Sequence, residues 1–107
     1  MGNVARPSSN KTGGVVPSLE LRHLQTFQVV AATKNFNRAA AQLGYSQSSV
    51  TMHIQQLENV LGRPLFQRER FSKTVVLTEF GRRTVEKSER LLALVAEVEA
   101  SARAPGE

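Results

Sequence analysis

A chain of 107 residues suffices for one domain with a modest core, not for a multidomain enzyme. It has no cysteine and only two separated histidines, with no Gly-rich phosphate loop and no paired nucleophile and base, so neither catalysis, a metal site nor a cofactor is expected. The net charge of +5 is uneven: residues 1–37 contribute +3, residues 38–83 contribute +4 and residues 84–107 contribute −2, which concentrates positive charge away from the C-terminal part. No apolar run approaches the ~18 residues of a membrane span and no signal-peptide core is present, so the expected setting is cytoplasmic, without a membrane partner.

Residues 1–17 mix Gly, Pro, Ser, Asn and Thr with short apolar pairs, and read as a flexible arm without a function of its own, the alternative being that Arg6 and Lys11 brush phosphates. From Ser18 the pattern becomes helical: Leu21, Leu24, Phe27 and Ala31 line one side of a helix running to about Lys34, and Val29 and Val30 widen its apolar face. His23 lies outside that stripe and reads as a surface or capping residue, while His53 sits at the edge of a later apolar face.

Asn35 to Phe66 holds two helical patterns joined by Gly44, Tyr45 and Ser46, the pattern of a helix-turn-helix. Asn37 is the expected N-cap of the first, and Ala39, Ala40 and Leu43 form a narrow face that admits a close neighbour. Gly44 ends it in the left-handed conformation. Ser46 is the N-cap of the second, whose Val50, Ile54, Leu57 and Leu61 share one side; Gly62 and Pro64 end it. Outward lie Ser48, Met52, Gln55 and Asn59, flanked by Gln47, Ser49 and Thr51. Amide and hydroxyl side chains in that position suit base-edge reading, although a solvated polar face has the same composition.

After Gly62, Leu65-Phe66 and Val75-Val76-Leu77 bracket a basic stretch with Arg68, Arg70 and Lys73, a pattern predicting a β-hairpin whose cations would grip a sugar-phosphate backbone. Thr78 then caps a long helix reaching about Arg103, with Glu79 at its positive end. Phe80, Thr84, Leu91, Leu94, Val95, Val98 and Ala102 fall on one broad side of it. At ~25 residues and ~37 Å, such a helix outruns a domain this small, so its stripe, with Phe80, Leu91, Leu94, Val95 and Val98 as the contact set, is expected to pair with a second copy.

The run LELRHLQTF, NFNRAAAQL, SQSSVTMHIQQLENVLGRPLFQR and VVLTEFG, in that order, resembles the N-terminal DNA-binding region of LysR-type transcriptional regulators from about Leu19 to Ala102. The resemblance implies a mainly α fold: a winged helix-turn-helix with a three-helix core and a short β-hairpin wing over residues 18–77, a linker and dimerisation helix over 78–103, and a tail over 104–107. It implies a dimer or tetramer on partly palindromic double-stranded DNA, with an antiparallel pair of linker helices. Carried over by position, Gln47, Ser48, Thr51, Met52 and Gln55 face bases, and Asn37, Arg38, Ser46, Ser49, Arg68, Arg70 and Lys73 meet the backbone.

Three departures stand out. Many members have Pro and Arg where this chain has Ser48 and Met52, so the family's Arg-to-guanine contact does not carry over. The wing between Arg68 and Leu77 is about two residues longer than is common. The ligand-sensing domain that follows the linker helix in this family is absent here. The chain is therefore expected to be a fragment of a longer regulator, with a small-molecule effector bound only where that domain is present; a stand-alone binder is the alternative. The rival function is a winged-helix association module with only non-specific DNA binding, and salt-dependent affinity for duplex DNA separates the two.

Overall fold

A computed structural model describes residues 19–67 and 74–103; the arm over 1–17, the wing residues Arg68, Arg70 and Lys73, and the tail over 104–107 lie outside the described residues. The described elements are α1 (Leu21–Thr33), α2 (Phe36–Leu43), α3 (Gln47–Leu61), β1 (Phe66–Gln67), β2 (Val76–Leu77) and α4 (Glu79–Arg103). The strands pair antiparallel, with Phe66 opposite Leu77 and Gln67 opposite Val76. This is a winged helix-turn-helix followed by a long helix.

The core forms where the apolar sides of α1, α2 and α3 converge: Leu24, Phe27 and Val30 meet Ala39 and Ala40, then Val50, Ile54 and Leu57. The two alanines let α2 approach closely because they present only methyl groups. Leu65 and Phe66 close the core from the wing side. Phe66 meets Phe27 and Phe36 in edge-to-face contacts, with ring centroids 5.6 and 6.1 Å away. Such edge contacts add to the burial of large rings and fix the wing root against the bundle.

The N-cap of α2 is Asn35, not Asn37: the Asn35 side chain accepts the Arg38 N–H at 2.9 Å, and Asn37 sits exposed in the first turn. Starting the helix at Phe36 is what brings that ring onto Phe66. The preceding link is short because Lys34 adopts φ 60°, a left-handed conformation that the sequence did not signal. Its carbonyl accepts Val75 N–H at 3.1 Å, which ties the wing to the start of the helix-turn-helix. The Gly44 and Gly62 ends, at φ 75° and 77°, follow expectation, as does the cap at Ser46.

The second correction concerns His23, which is buried at 7% exposure rather than on the surface. Its ring stacks on His53 with centroids 4.7 Å apart, so the two histidines fill the seam between α1 and α3. Thr26, also fully buried, shares a 2.8 Å hydrogen bond with His53 Nδ1, and Tyr45 sets its ring edge against His53 at 5.1 Å.

The first half of α4 is fastened to the domain. Thr78 Oγ1 accepts Gly81 N–H at 2.9 Å and donates to the Pro64 carbonyl at 2.9 Å, while Thr78 N–H donates to the Leu65 carbonyl, also at 2.9 Å. Leu65 N–H in turn donates to Glu58 Oε2 at 2.7 Å, so the end of α3, the wing root and the start of α4 form one hydrogen-bonded corner. Gly81 is buried there, and any β-carbon would run into the Leu65 carbonyl. Val85 and Leu92 pack against the core and Ser88 is buried beside them. Thus residues 81, 85, 88 and 92, none of them on the side read as apolar from the sequence, join Phe80 in holding α4 to its own domain.

Candidate nucleic-acid interface

The core fixes α3 by its inner side and leaves its outer side free. Val50, Ile54 and Leu57 are buried, while Gln47, Ser48, Met52, Gln55, Gln56 and Asn59 are exposed, with Ser49 and Thr51 half-buried between them. From residue 48 to residue 55 the exposed row extends ~10 Å along the axis, about three base-pair steps. At the start of α3, Ser46 Oγ accepts Ser49 N–H at 3.1 Å and lies 3.2 Å from Ser48 Oγ. That cap leaves other N–H groups of the first turn free for an acceptor. A helix N-terminus of this kind favours anions such as phosphate.

Asn37 and Arg38 are exposed at the N-terminus of the preceding helix, α2, which adds a guanidinium to a second helix start. Among the described residues, the other exposed cations on the winged core include Arg22, Lys34, Arg63 and Arg82; Arg63 is partly occupied, its guanidinium lying 4.8 Å above the Phe80 ring. α3 itself carries no Lys or Arg, and its single carboxylate, Glu58, is turned to Leu65. The polar row is therefore uncharged, the exposed cations of the winged core sit on other elements, and toward its far end Gln56 and Asn59 line a groove with Glu20. An uncharged row suits hydrogen bonding to base edges, whereas cations elsewhere on the domain suit phosphate contacts.

Of the residues expected to pair two copies, Leu91, Leu94 and Val98 are 40%, 59% and 64% exposed, and Val95 is half-buried. Phe80 departs from them because it packs partly against the core beneath Arg63. Leu91 forms one wall of an apolar groove that continues over Leu19, Leu61 and Phe80. Burial and the positive charge of His23 and Arg22 push the His53 pKa below its ordinary value, with Glu20 opposing. The His53 ring thus projects from α3 toward His23 and Thr26 of α1, where burial disfavours its charged form. No group of three or more possible metal ligands occurs among the described residues, and no helix there is long and apolar enough to cross a membrane.

Residues 21–82 match the family model described as "Bacterial regulatory helix-turn-helix protein, lysR family". The chain is 46% identical over 81 residues to the HTH-type transcriptional regulator CzcR of Bacillus subtilis (strain 168), covering 76% of this chain and 27% of that protein. It is 47% identical over 73 residues to the HTH-type transcriptional regulator XapR of Escherichia coli (strain K12), covering 68% and 24%. The chain therefore spans about a quarter of the length of these curated relatives. Among solved structures, it is similar to a CbnR DBD in complex with DNA, with TM-score 0.76 and 32% identity over 83% of this chain and 100% of that one. A BenM DBD bound to benA site 1 DNA gives TM-score 0.74 and 33% identity over the same shares.

Proposed function

Given that the chain belongs to the lysR family of bacterial regulatory helix-turn-helix proteins, we propose that it is the DNA-binding part of a transcriptional regulator. It binds double-stranded DNA sequence-selectively and catalyses no reaction, in the cytoplasm and on the nucleoid. α3 enters the major groove, where Gln47, Ser48, Thr51, Met52 and Gln55 meet base edges. Asn37, Arg38, Ser46 and Ser49 hold the phosphates on either side, and the wing cations Arg68, Arg70 and Lys73 hold the flanking backbone. Two copies pair through Leu91, Leu94, Val95 and Val98 on α4, so that two α3 helices address the halves of a partly palindromic operator. A small-molecule effector acts in a longer chain that carries a sensing domain.

The observation that carries this reading is the uncharged, exposed polar row of α3, held out of a three-helix core whose other elements carry exposed cations. The similar CbnR and BenM structures, which contain DNA, support it. Selection of bound duplexes from a random pool, followed by titration at several salt concentrations, tests it. An enriched two-fold sequence bound with a steep salt slope is expected. Gln47→Ala should lower operator preference by ~1 to 3 kcal/mol while sparing non-specific affinity, and Arg68→Ala should weaken all duplexes alike and reduce the salt slope by about one unit. Recovery of no preferred sequence, with equal and weak affinity for every duplex, would leave only the association-module reading.

A further inference from the structure

Resting on that reading of α3 as the groove-entering helix, we propose that Met52 reads the 5-methyl group of a thymine, making α3 selective for an A·T pair at the centre of each half-site. Met52 is 53% exposed, whereas its neighbours along the row, Ser48 one turn before and Gln55 one turn after, are polar. An apolar side chain held out of the core at the middle of a polar row gains nothing from water. It gains contact area only if an apolar group meets it.

In the major groove the one apolar group on a base edge is the thymine methyl; guanine offers two acceptors there and cytosine a donor. A thioether has no donor for guanine and is only a weak acceptor for cytosine. The most discriminating guanine contact needs Arg or Lys, and α3 has neither over its whole length, Gln47–Leu61. Gln55, in contrast, has the donor and acceptor that match adenine N7 and N6. Met52 and Gln55 lie three residues apart, within ~5–6 Å on the helix surface, so both can address the same or adjacent base pairs. The flexible unbranched side chain of Met lets its terminal methyl reach a partner without a backbone shift.

The experiment takes the operator selected by the full chain and replaces each thymine singly by deoxyuridine, which lacks only the methyl. For the wild type, one thymine per half-site should show a loss of roughly fourfold, the size expected for burial of one methyl group. Met52→Ala should bind the parent operator about that much more weakly and be indifferent to the same replacement. Met52→Arg should shift the preferred base there from thymine to guanine when the selection is repeated. Since Met52 is exposed and lies outside the core, these variants are expected to fold. Wild-type tolerance of deoxyuridine at every position, with operator preference intact, overturns the methyl contact and leaves sequence-selective binding standing. Guanine as the wild-type choice opposite Met52 overturns it equally. Failure to select any operator removes the DNA-reading assignment and this inference together.

Discussion

Replacing Gly81 with alanine should destabilise the domain although it improves the helix. In the first turn of α4 a β-carbon at this position points into the Leu65 carbonyl, and it would also sit 3.0 Å from Leu77 Cδ2. The carbonyl cannot swing aside, because it accepts Thr78 N–H at 2.9 Å and Leu65 itself is fully buried. α4 must therefore move away from the wing root, which loosens the Thr78 cap and the seating of Val85 and Leu92. Forced overpacking costs about 1 to 3 kcal/mol, and contact with immobile backbone belongs at the upper end. Against this, alanine in place of glycine within a helix gains up to ~1 kcal/mol. The expected net loss is ~2 kcal/mol, or roughly 8 to 16 °C in Tm for a domain of this size.

Thermal melts followed by far-ultraviolet circular dichroism, with urea titrations to obtain free energies, provide the measurement. Ser88→Ala is the internal control on the same helix: its buried hydroxyl has no hydrogen-bond partner among the described residues, so removing it should leave stability unchanged or raise it by ~1 kcal/mol. A Gly81→Ala protein that melts at or above the wild-type temperature would refute the close approach of α4 to Leu65.

Three further outcomes are expected. Asn35→Ala should cost ~1 kcal/mol through loss of the α2 cap, whereas Asn37→Ala should spare stability and weaken DNA binding, and paired urea titrations and duplex titrations read both. His53, whose pKa lies below its ordinary value in the folded chain, takes up a proton on unfolding over that interval; stability should therefore be full above about pH 6.5 and decline below it until the folded pKa is passed, a slope that His53→Gln should flatten in melts recorded across pH. Leu94→Asp with Val98→Asp, both at exposed positions beyond the core, should leave Tm nearly unchanged yet give a monomer by sedimentation with much weaker operator binding, because the two half-site contacts are no longer linked; an undiminished dimer would exclude this face as the seam.

The helix-turn-helix was legible because its signals are local. Gly44, Ser46 and Gly62 specify the ends of helices by backbone chemistry that needs no distant partner, and Val50, Ile54 and Leu57 specify an inner side by spacing alone. The polar row of α3 follows as the remainder. His23 was misplaced for the opposite reason. Its burial is set by His53, thirty residues away across the α1–α3 seam, and a polar side chain off the apolar stripe carries no mark of such a partner. Asn35 and Asn37 are equally good caps by type, and only the need to bring Phe36 onto Phe66 chooses between them.

α4 shows how apolar spacing can be read correctly and still leave a second role of the same helix unseen. Leu91, Leu94 and Val98 do lie on one side, as the sequence suggests, but apart from Phe80 the domain holds the helix by the neighbouring side, at four positions: Gly81, Val85, Ser88 and Leu92. Two of those four are small residues that contribute little hydrophobicity, and their value lies in what they lack: no β-carbon at 81 and little bulk at 88 allow the helix axis to come close. A search for large apolar residues passes over such positions. The consequence is a helix with two adjacent uses, its first half closing the winged domain and its exposed stripe from Leu91 onward projecting beyond it. Because both uses belong to one continuous helix, a second copy bound to the stripe would be rigidly coupled to Thr78, Leu65 and the wing root, and through Glu58 to the end of α3. Pairing on α4 would therefore set the spacing of the two α3 helices directly, without an intervening flexible joint.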